Sequence, residues 1–367
     1  MSITARRLSR AIRIAFLLAT TLSLLPLVAA PKQKSSDLSV YFVDVEGGQA
    51  TLFVTPEKHS LLIDTGWLNT DGRDANRILA AAKDAGIDRL DFVLLTHYHV
   101  DHAGGFTELA QKIPIGAVFD HGEVRQNDAV TQQVFNNYVD AVAKKNIPRV
   151  TAKPSEVLPI SGIHVEVISS DGATITHSLP DAGPGAGQEN PACAQSGPYS
   201  PDLTENARSL GTLITFGKLR ILDLGDLTND KELLFMCPKN SLGKVDILIV
   251  SHHGTATSNS PALVWGIAPR VAIFDNGATK GGQVRVLDTV RSSPGLEDFW
   301  QLHYSEAGGA EHNTAAQYIA NPQGADAAYY LTLTGHKDGS FEIFNQRTKE
   351  TKKYAAKERR HPAGLSG

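Results

Sequence analysis

The chain has 367 residues, of which 41% are apolar and 20% charged, and its formal net charge is −4. These values are ordinary for a globular protein and allow one large domain or two of average size. A net negative charge argues against a protein that holds long polyanions by bulk electrostatics, so we expect no stable binding of long nucleic acid.

The first thirty residues predict an exported protein. An apolar run from Ile14 to about Leu27 follows a start that contains four arginines, and small residues occupy positions 28–30. This is the three-part pattern of a secretory signal peptide, which we place at residues 1–30, and it predicts a secreted or periplasmic location. Cleavage would remove four positive charges and no acid, which changes the net charge from −4 to −8.

An uncleaved membrane anchor is the alternative to a signal peptide. The apolar run is short for a membrane span, which needs about 20 residues. After cleavage, we expect no association with a membrane. Cys193 and Cys237 suit an exported protein that joins them in a disulfide, and the alternative is two free thiols.

Strands and helices are predicted in two sets along the rest of the chain. The first set has strands at 39–45, 49–54, 60–63, 92–95, 117–119 and 164–168, and helices at 76–85, 107–112 and 130–145. The second set has strands at 210–216, 219–224, 246–250, 270–274, 328–332 and 341–344, and helices at 230–236, 261–267 and 284–291. This pattern alone indicates an α/β or α+β fold in one large domain, which we place at 37–345.

Two segments depart from the pattern. Residues 171–204 are rich in Gly, Pro, Ala and Ser and show no periodicity, so we predict a long loop that is inserted near the functional site. Residues 346–367 contain a cluster of Lys and Arg and are predicted to form a basic, flexible tail.

Four candidate metal ligands follow the predicted strand at 92–95. They are His97, His99, Asp101 and His102. Imidazole and carboxylate groups are the ligands that borderline divalent metals such as zinc favour. On an extended chain the first three point to one side, and His102 joins them only if the backbone curls into a helical turn.

This run resembles the HxHxDH signature of the metallo-β-lactamase superfamily. The resemblance implies an αββα sandwich and a site for one or two Zn²⁺ ions, with Mn²⁺ or Fe²⁺ as alternatives. It implies that Asp64 steadies the metal-binding loop through outer hydrogen bonds. It also implies that Asp226, which follows Gly225 after an apolar strand, bridges two metal ions. Each acid could otherwise be a turn-forming residue at a strand end.

A histidine pair follows the predicted strand at 246–250. Adjacent residues of an extended chain face opposite ways, so we expect only one of His252 and His253 to bind metal directly. We favour His252 as the ligand and His253 as a residue that lines the substrate side, and the reverse order is the alternative.

One histidine that is usual in the superfamily is missing from this chain. Asn206 stands at its position, and an amide oxygen is a poor zinc ligand beside imidazole. The segment around Asn206, the Gly-Asp-Leu segment and the Ser-His-His-Gly segment together resemble the ComEC-type domains of DNA-uptake proteins. In those domains a Gly-His-Pro segment falls roughly where His312 lies, so His312 is a candidate substrate contact.

The resemblance implies a hydrolase that uses a metal-bound hydroxide. The expected ligands are His97 and His99 for one metal, Asp101, His102 and His252 for the other, and Asp226 between them. The acids expected to support catalysis are Asp101, Asp226 and Asp64. We expect a small-molecule or short nucleic-acid substrate and favour a phosphodiester. The alternatives are a β-lactamase or another amide or ester hydrolase, and a non-catalytic binding protein with a degraded metal site. The oligomeric state is not predicted.

Overall fold

The computed structural model describes residues 36–68, 70–180, 182–324 and 327–357. The predicted signal peptide at 1–30 lies outside these ranges, and so do residues 358–367 of the predicted tail. From Ser35 onward the chain groups into one unit. Within the described ranges, no helix combines the length and the apolar character needed to cross a bilayer.

The described residues form eighteen strands and seven α-helices. In chain order, the strands are β1 (Leu38–Phe42), β2 (Thr51–Val54), β3 (Ser60–Ile63), β4 (Leu90–Leu94), β5 (Ile115–Asp120), β6 (Arg149–Thr151), β7 (Val157–Leu158), β8 (His164–Ser170), β9 (Ala173–Thr174), β10 (Gly211–Phe216), β11 (Leu219–Asp223), β12 (Ile247–Ile249), β13 (Val271–Phe274), β14 (Asp298–His303), β15 (Ile319–Asn321), β16 (Leu331–Gly335), β17 (Phe341–Asn345) and β18 (Thr351–Tyr354). The helices are α1 (Arg73–Ala85), α2 (Phe106–Lys112), α3 (Ala129–Lys145), α4 (Asn229–Met236), α5 (Pro261–Ile267), α6 (Val284–Arg291) and α7 (Gly309–His312).

The strands build two sheets of nine strands each. The order is β18-β17-β16-β1-β2-β3-β4-β5-β6 in the first sheet and β15-β14-β13-β12-β11-β10-β8-β7 in the second, where β9 also pairs with β8. Strands β3 to β6 and strands β11 to β15 pair in parallel. Because the carboxyl ends of parallel strands lie at one edge of a sheet, the loops that follow them are expected to share a site.

Alternating apolar residues divide the core into three layers. Ile221 and Leu222 of β11 point to opposite faces, so Ile221 packs between the two sheets and Leu222 packs against α4, α5 and α6. In the same way, Leu94 of β4 packs between the sheets and Val93 packs against α1, α2 and α3. Two facing sheets with helices on both outer sides confirm the expected αββα sandwich.

The structure corrects the predicted flexible tail at 346–367. Its residues Thr351–Tyr354 form β18, which pairs antiparallel with β17. The Tyr354 ring is buried and stacks on Phe341 with a centroid distance of 4.6 Å, and Lys352 Nζ lies 2.8 Å from a carboxylate oxygen of Asp298. The lysines suggested a solvated segment, but charged side chains are also usual on the exposed positions of an edge strand.

Candidate metal centre

Acidic and imidazole side chains collect at the carboxyl ends of the parallel strands. Asp64 follows β3 and the segment from His97 to His102 follows β4, while Asp226 follows β11 and the histidine pair follows β12. The central ligand candidates are residues that expose 5% or less of their surface; these are His97, Asp101, His102, Asp226 and His253. Buried groups of this kind need polar or ionic partners, because burial without a partner is costly.

The loop after β4 curls, which turns His102 toward the other candidates. The backbone N–H of His102 donates to the carbonyl oxygen of His99 at 3.1 Å. Asp64 holds the loop, since its Oδ1 accepts from the Thr96 N–H at 2.8 Å and its Oδ2 accepts from the Thr96 hydroxyl at 2.6 Å. Nδ1 of His102 lies 2.7 Å from the same Oδ2. A histidine fixed in this way through one nitrogen presents the other, Nε2, to a metal.

Asp226 reaches the loop because a glycine precedes it. Gly225 has a φ of +54°, and a Cβ at this position would lie 2.7 Å from Cβ of Thr96. Only glycine combines that backbone conformation with so close an approach at no steric cost. As a result, Asp226 Oδ1 lies 3.2 Å from His102 Nε2, and Asp226 Oδ2 lies 3.8 Å from His97 Nε2.

The ligand atoms form two groups that share Asp226. One group consists of Asp101, His102, Asp226 and His253, and we call it the four-ligand group; the other consists of His97, His99 and Asp226, and we call it the three-ligand group. Within each group all ligand atoms lie within 4.8 Å of one another. Imidazole nitrogens face each other at 3.0 Å in the three-ligand group and at 3.1 Å in the four-ligand group.

These residues fit a divalent metal. Oδ1 of Asp226 is buried and, among the described residues, makes no hydrogen bond, although it points into the cluster of imidazoles. A buried carboxylate oxygen that accepts no hydrogen bond is unfavourable unless a cation meets it. Imidazole and carboxylate donors together suit Zn²⁺, and they also suit Mn²⁺ and Fe²⁺. The orphaned oxygen and the donor set therefore both point to metal.

The structure places His253, rather than the favoured His252, in one of the two candidate ligand groups. His253 Nε2 lies 3.1 Å from Asp101 Oδ2. His252 Nε2 lies 3.4 Å from Asp226 Oδ2, but His252 belongs to neither ligand group, and its side chain is 16% exposed. The prediction assumed an extended chain, in which neighbours alternate. Both residues instead have a left-handed backbone, with φ of +56° and +55°, so that alternation does not apply.

Burial and neighbouring charges shift the pKa values of the residues at and around Asp226. Burial disfavours its charged form, but the three nearby histidines hold the pKa of Asp226 well below its ordinary value. Burial likewise opposes a charged His102, yet the carboxylates around it, with Asp226 first, raise the pKa of His102 well above its ordinary value. Burial and the neighbouring imidazoles lower the pKa of His97 well below its ordinary value. An ionised carboxylate and a neutral imidazole are the forms that bind metal, so the shifts favour the binding forms of Asp226 and His97, whereas a metal ion must displace the proton of His102.

A chain of polar contacts orients His99. Its Nε2 lies 3.1 Å from Gln126 Oε1, and the Glu205 N–H donates to the same oxygen at 2.9 Å. The Glu205 carboxylate lies 2.9 Å from Nε2 of the buried His121. Asn206, at the position of the missing histidine, directly follows Glu205, and its buried Oδ1 has no hydrogen-bond partner in the described part of the chain. Asn206 thus lies beside the support of His99 but in neither ligand group.

Two residues of the site were missed in the sequence. Lys280 Nζ contacts Asp101 Oδ2, and Asp275 Oδ1 lies 3.4 Å from His253 Nδ1. Both follow β13, whose carboxyl end lies at the same sheet edge as those of β11 and β12. A position at the end of a parallel strand is the signal that could have indicated them.

The inserted loop at 171–204 forms a small cavity near His252. Tyr199 of the insertion and Thr257 are among the residues that line this cavity of about 230 Å³. The hydroxyl of Thr257 lies 3.1 Å from His252 Nδ1. The disulfide between Cys193 and Cys237 joins the insertion to the end of α4. The insertion therefore lies next to His252, whose side chain is partly open to solvent.

Two other histidines lie apart from the ligand groups. His312 Nδ1 lies 2.8 Å from a carboxylate of α6, so the structure does not bring this candidate to the metal ligands. Asp44, Glu46 and His303 also have ligand atoms within 4.8 Å of one another. However, Arg77 Nη1 lies 3.0 Å from a carboxylate oxygen of each of these acids. We interpret this cluster as an ion-pair network around a guanidinium.

Comparison with known proteins agrees with this geometry. Residues 43–185, which include Asp64 and the segment from His97 to His102, match the metallo-β-lactamase superfamily. The chain contains a metallo-β-lactamase superfamily domain. This confirms the family that the HxHxDH run indicated and the class of enzyme expected from it, a metallo-hydrolase of this superfamily.

Two curated relatives match parts of the chain. Over 236 residues it is 27% identical to Recombination protein 2 of Haemophilus influenzae, which covers 64% of this chain and 24% of that protein. Over 109 residues it is 32% identical to hydroxyacylglutathione hydrolase of Acidiphilium cryptum, which covers 29% of this chain and 36% of that protein. The chain thus spans about a quarter to a third of these relatives' lengths. The first match supports the ComEC-type resemblance.

Among solved structures, the chain is similar to the metallo-β-lactamase fold protein YhfI from Bacillus subtilis. It is 14% identical to this chain, with a TM-score of 0.44, and the match covers 72% of this chain and 95% of that one.

Proposed function

We propose that the chain is an exported, metal-dependent hydrolase that acts on phosphodiesters. The observation that supports the reaction type is the position of Asp226, whose carboxylate is shared by the three-ligand and four-ligand groups. When bound there, divalent ions, for which zinc is our first choice, would supply a nucleophile from water near neutral pH and polarise the scissile group.

The remaining residues have separate tasks in this proposal. Asp64 fixes the ring of His102 and the amide of Thr96, so it positions the loop rather than contacting substrate. The imidazole of His252 is partly exposed and lies outside both ligand groups, and the Thr257 hydroxyl lies 3.1 Å from its Nδ1. We therefore assign His252 to substrate contact, with its Nε2 available to move a proton at the substrate.

A phosphodiester substrate is supported by resemblance. The match to Recombination protein 2 extends over 236 residues, beyond the segment that gives the superfamily, and that protein's name refers to recombination. The net charge of −4 does not favour a hold on long polyanions, so we propose a short nucleic acid or a small diester as the substrate.

A thioester or ester substrate is the second candidate. The shorter match, at 32% identity over 109 residues, is to a hydroxyacylglutathione hydrolase.

Export is proposed on two grounds, the signal-peptide pattern at residues 1–30 and the Cys193–Cys237 disulfide, which is typical of proteins in oxidising compartments.

The test uses four substrates with one metal-stripped preparation of the full chain. We expect a chromogenic phosphodiester and single-stranded DNA to be hydrolysed after Zn²⁺ or Mn²⁺ is restored, and His97→Ala to abolish this in either metal. Hydrolysis of a thioester alone would favour the second candidate, and hydrolysis of a chromogenic cephalosporin alone would favour a β-lactamase. No hydrolysis, with less than about half an equivalent of bound metal per chain, would indicate a non-catalytic binding protein.

A further inference from the structure

The loop after β13 places a lysine against the four-ligand group. Lys280 Nζ contacts Asp101 Oδ2, and it also lies 4.7 Å from the centroid of the Trp67 ring. That same carboxylate oxygen lies 3.1 Å from His253 Nε2 and 3.3 Å from His102 Nε2. The ammonium and a metal ion in the four-ligand group would therefore share one ligand atom.

The backbone around Lys280 is fastened to the site. The Gly277 N–H donates to the Lys280 carbonyl at 2.9 Å, and the Gly282 N–H donates to the His253 carbonyl at 2.8 Å. Gly281 has a φ of +73°, and a Cβ there would lie 2.0 Å from the His253 carbonyl oxygen. The loop at residues 277–282 thus contacts the backbone of His253 and also carries Lys280. Its backbone hydrogen bonds therefore fix the position of the lysine at the site.

The three-ligand group differs from the four-ligand group in the charge of the side chains beside it. His99 Nε2 meets the neutral amide oxygen of Gln126 at 3.1 Å. Among the described residues, the groups that approach Asp226 Oδ2 are the imidazoles of His97 and His252, and no lysine or arginine is paired with this group. The positive side chain therefore contacts a ligand of the four-ligand group and none of the three-ligand group.

We propose that the Lys280 ammonium competes with one of the two metal ions for the carboxylate of Asp101. It selectively weakens the binding of a divalent ion to the four-ligand group, which otherwise has the larger number of ligands, and so makes the two binding steps unequal. A cation that enters beside the ammonium must displace it from Asp101 or remain near a like charge in a partly buried site, where repulsion is poorly screened. This inference rests on the metal site of the proposed function.

The test is a titration of the metal-stripped full chain with Zn²⁺ in competition with a chromogenic chelator. Wild type should show one tight and one weak binding step. In Lys280→Met, which keeps the aliphatic stem, the weak step should tighten by about ten-fold or more while the other step stays unchanged. Lys280→Arg keeps the charge and should retain the wild-type pattern. Lys144→Met, at an exposed position of α3, is the matched control and should change neither step.

A second set of variants, made in a protein that also carries His99→Ala, shows which ligand group gives the weak binding step. His99→Ala damages the three-ligand group, so the step that remains belongs to the four-ligand group, and Lys280→Met should still tighten it. Loss of the effect in this background would overturn the proposal, and so would equal affinities in wild type and Lys280→Met. Either result would leave a metal-dependent hydrolase in place, whereas the absence of zinc binding in every variant would overturn the proposed function as well. Lys280→Gln replaces Lys280→Met if the latter fails to fold.

Discussion

Nδ1 of His102 lies 2.7 Å from Oδ2 of Asp64, and both side chains are fully buried. This contact joins the end of β3 to the loop after β4 and determines that Nε2 of His102 faces the metal ligands. It gives Asp64 a positioning role, because the Asp64 carboxylate points at the loop rather than into either ligand group.

Asp64→Asn should weaken metal binding. The amide NH₂ cannot accept hydrogen bonds, so the acceptor is lost either for the His102 ring and the Thr96 hydroxyl or for the Thr96 N–H. Changes to such outer hydrogen bonds usually lower metal affinity by about 10–100-fold, and we expect an effect of this size in a chelator-competition titration. Asp338→Asn, at an exposed turn, is the control. Unchanged affinity in Asp64→Asn would show that the ring of His102 is held by other means.

Gln126→Leu should weaken binding to the three-ligand group. Gln126 Oε1 is the acceptor for His99 Nε2, and this contact leaves Nδ1 of His99 as the metal-binding nitrogen. Without it the ring can change tautomer and orientation, so we expect about a ten-fold loss of affinity in one binding step. Gln111→Leu, on the exposed side of α2, should have no effect. A loss in both steps would contradict the separation into two groups.

Removal of the disulfide should cost stability but not metal binding. Cys193 and Cys237 are 44 residues apart, and closing a loop of this size typically stabilises a protein by about 2–4 kcal/mol. The Cys193→Ser/Cys237→Ser double variant should therefore unfold at lower urea concentration, while its metal affinity matches that of the wild type. Equal midpoints of urea unfolding for the two proteins would refute this.

Glu232 should make stability fall as pH rises toward neutrality. It accepts from the backbone N–H groups of Asn259 and Ser260 at 2.7 Å each, and burial raises its pKa to about 7. The unfolded chain releases this proton near pH 4.3, so between about pH 4.5 and 7 the folded state binds more protons than the unfolded state. The free energy of unfolding therefore decreases across that window, by up to about 3 kcal/mol from this group.

Glu232→Gln isolates this contribution because glutamine does not titrate. Urea unfolding at pH 5 and pH 7 should show a larger loss of stability in the wild type than in the variant. Parallel changes in the two proteins would mean that Glu232 does not carry the pH dependence.

Much of the fold could be predicted because its central strands have strong apolar patterns. The predicted strand at 60–63 and the predicted helices at 261–267 and 284–291 have the bounds that the structure shows. In contrast, β14 (Asp298–His303) was missed, because buried polar residues such as Gln301 interrupt its apolar run. The strand β18 was missed because its lysines resemble a solvated end.

The site could be predicted where ligands lie close in sequence, and not where the chain must fold to bring them together. The segment from His97 to His102 forms one loop, so its pattern was readable. The choice between His252 and His253 depends on a left-handed backbone, which an alternating pattern does not reveal. Lys280 is 179 residues from Asp101, and no local pattern links the two.

The most direct test of the account is the metal content and phosphodiester hydrolysis of Asp226→Ala beside the wild type. Asp226 is the one residue shared by both ligand groups, so its loss should reduce the affinity of both binding steps and abolish hydrolysis that is sensitive to chelators. We predict that the wild type retains metal after purification and that its hydrolysis is lost with chelator and restored with Zn²⁺ or Mn²⁺. Metal binding and hydrolysis in Asp226→Ala at the level of the wild type would contradict the account.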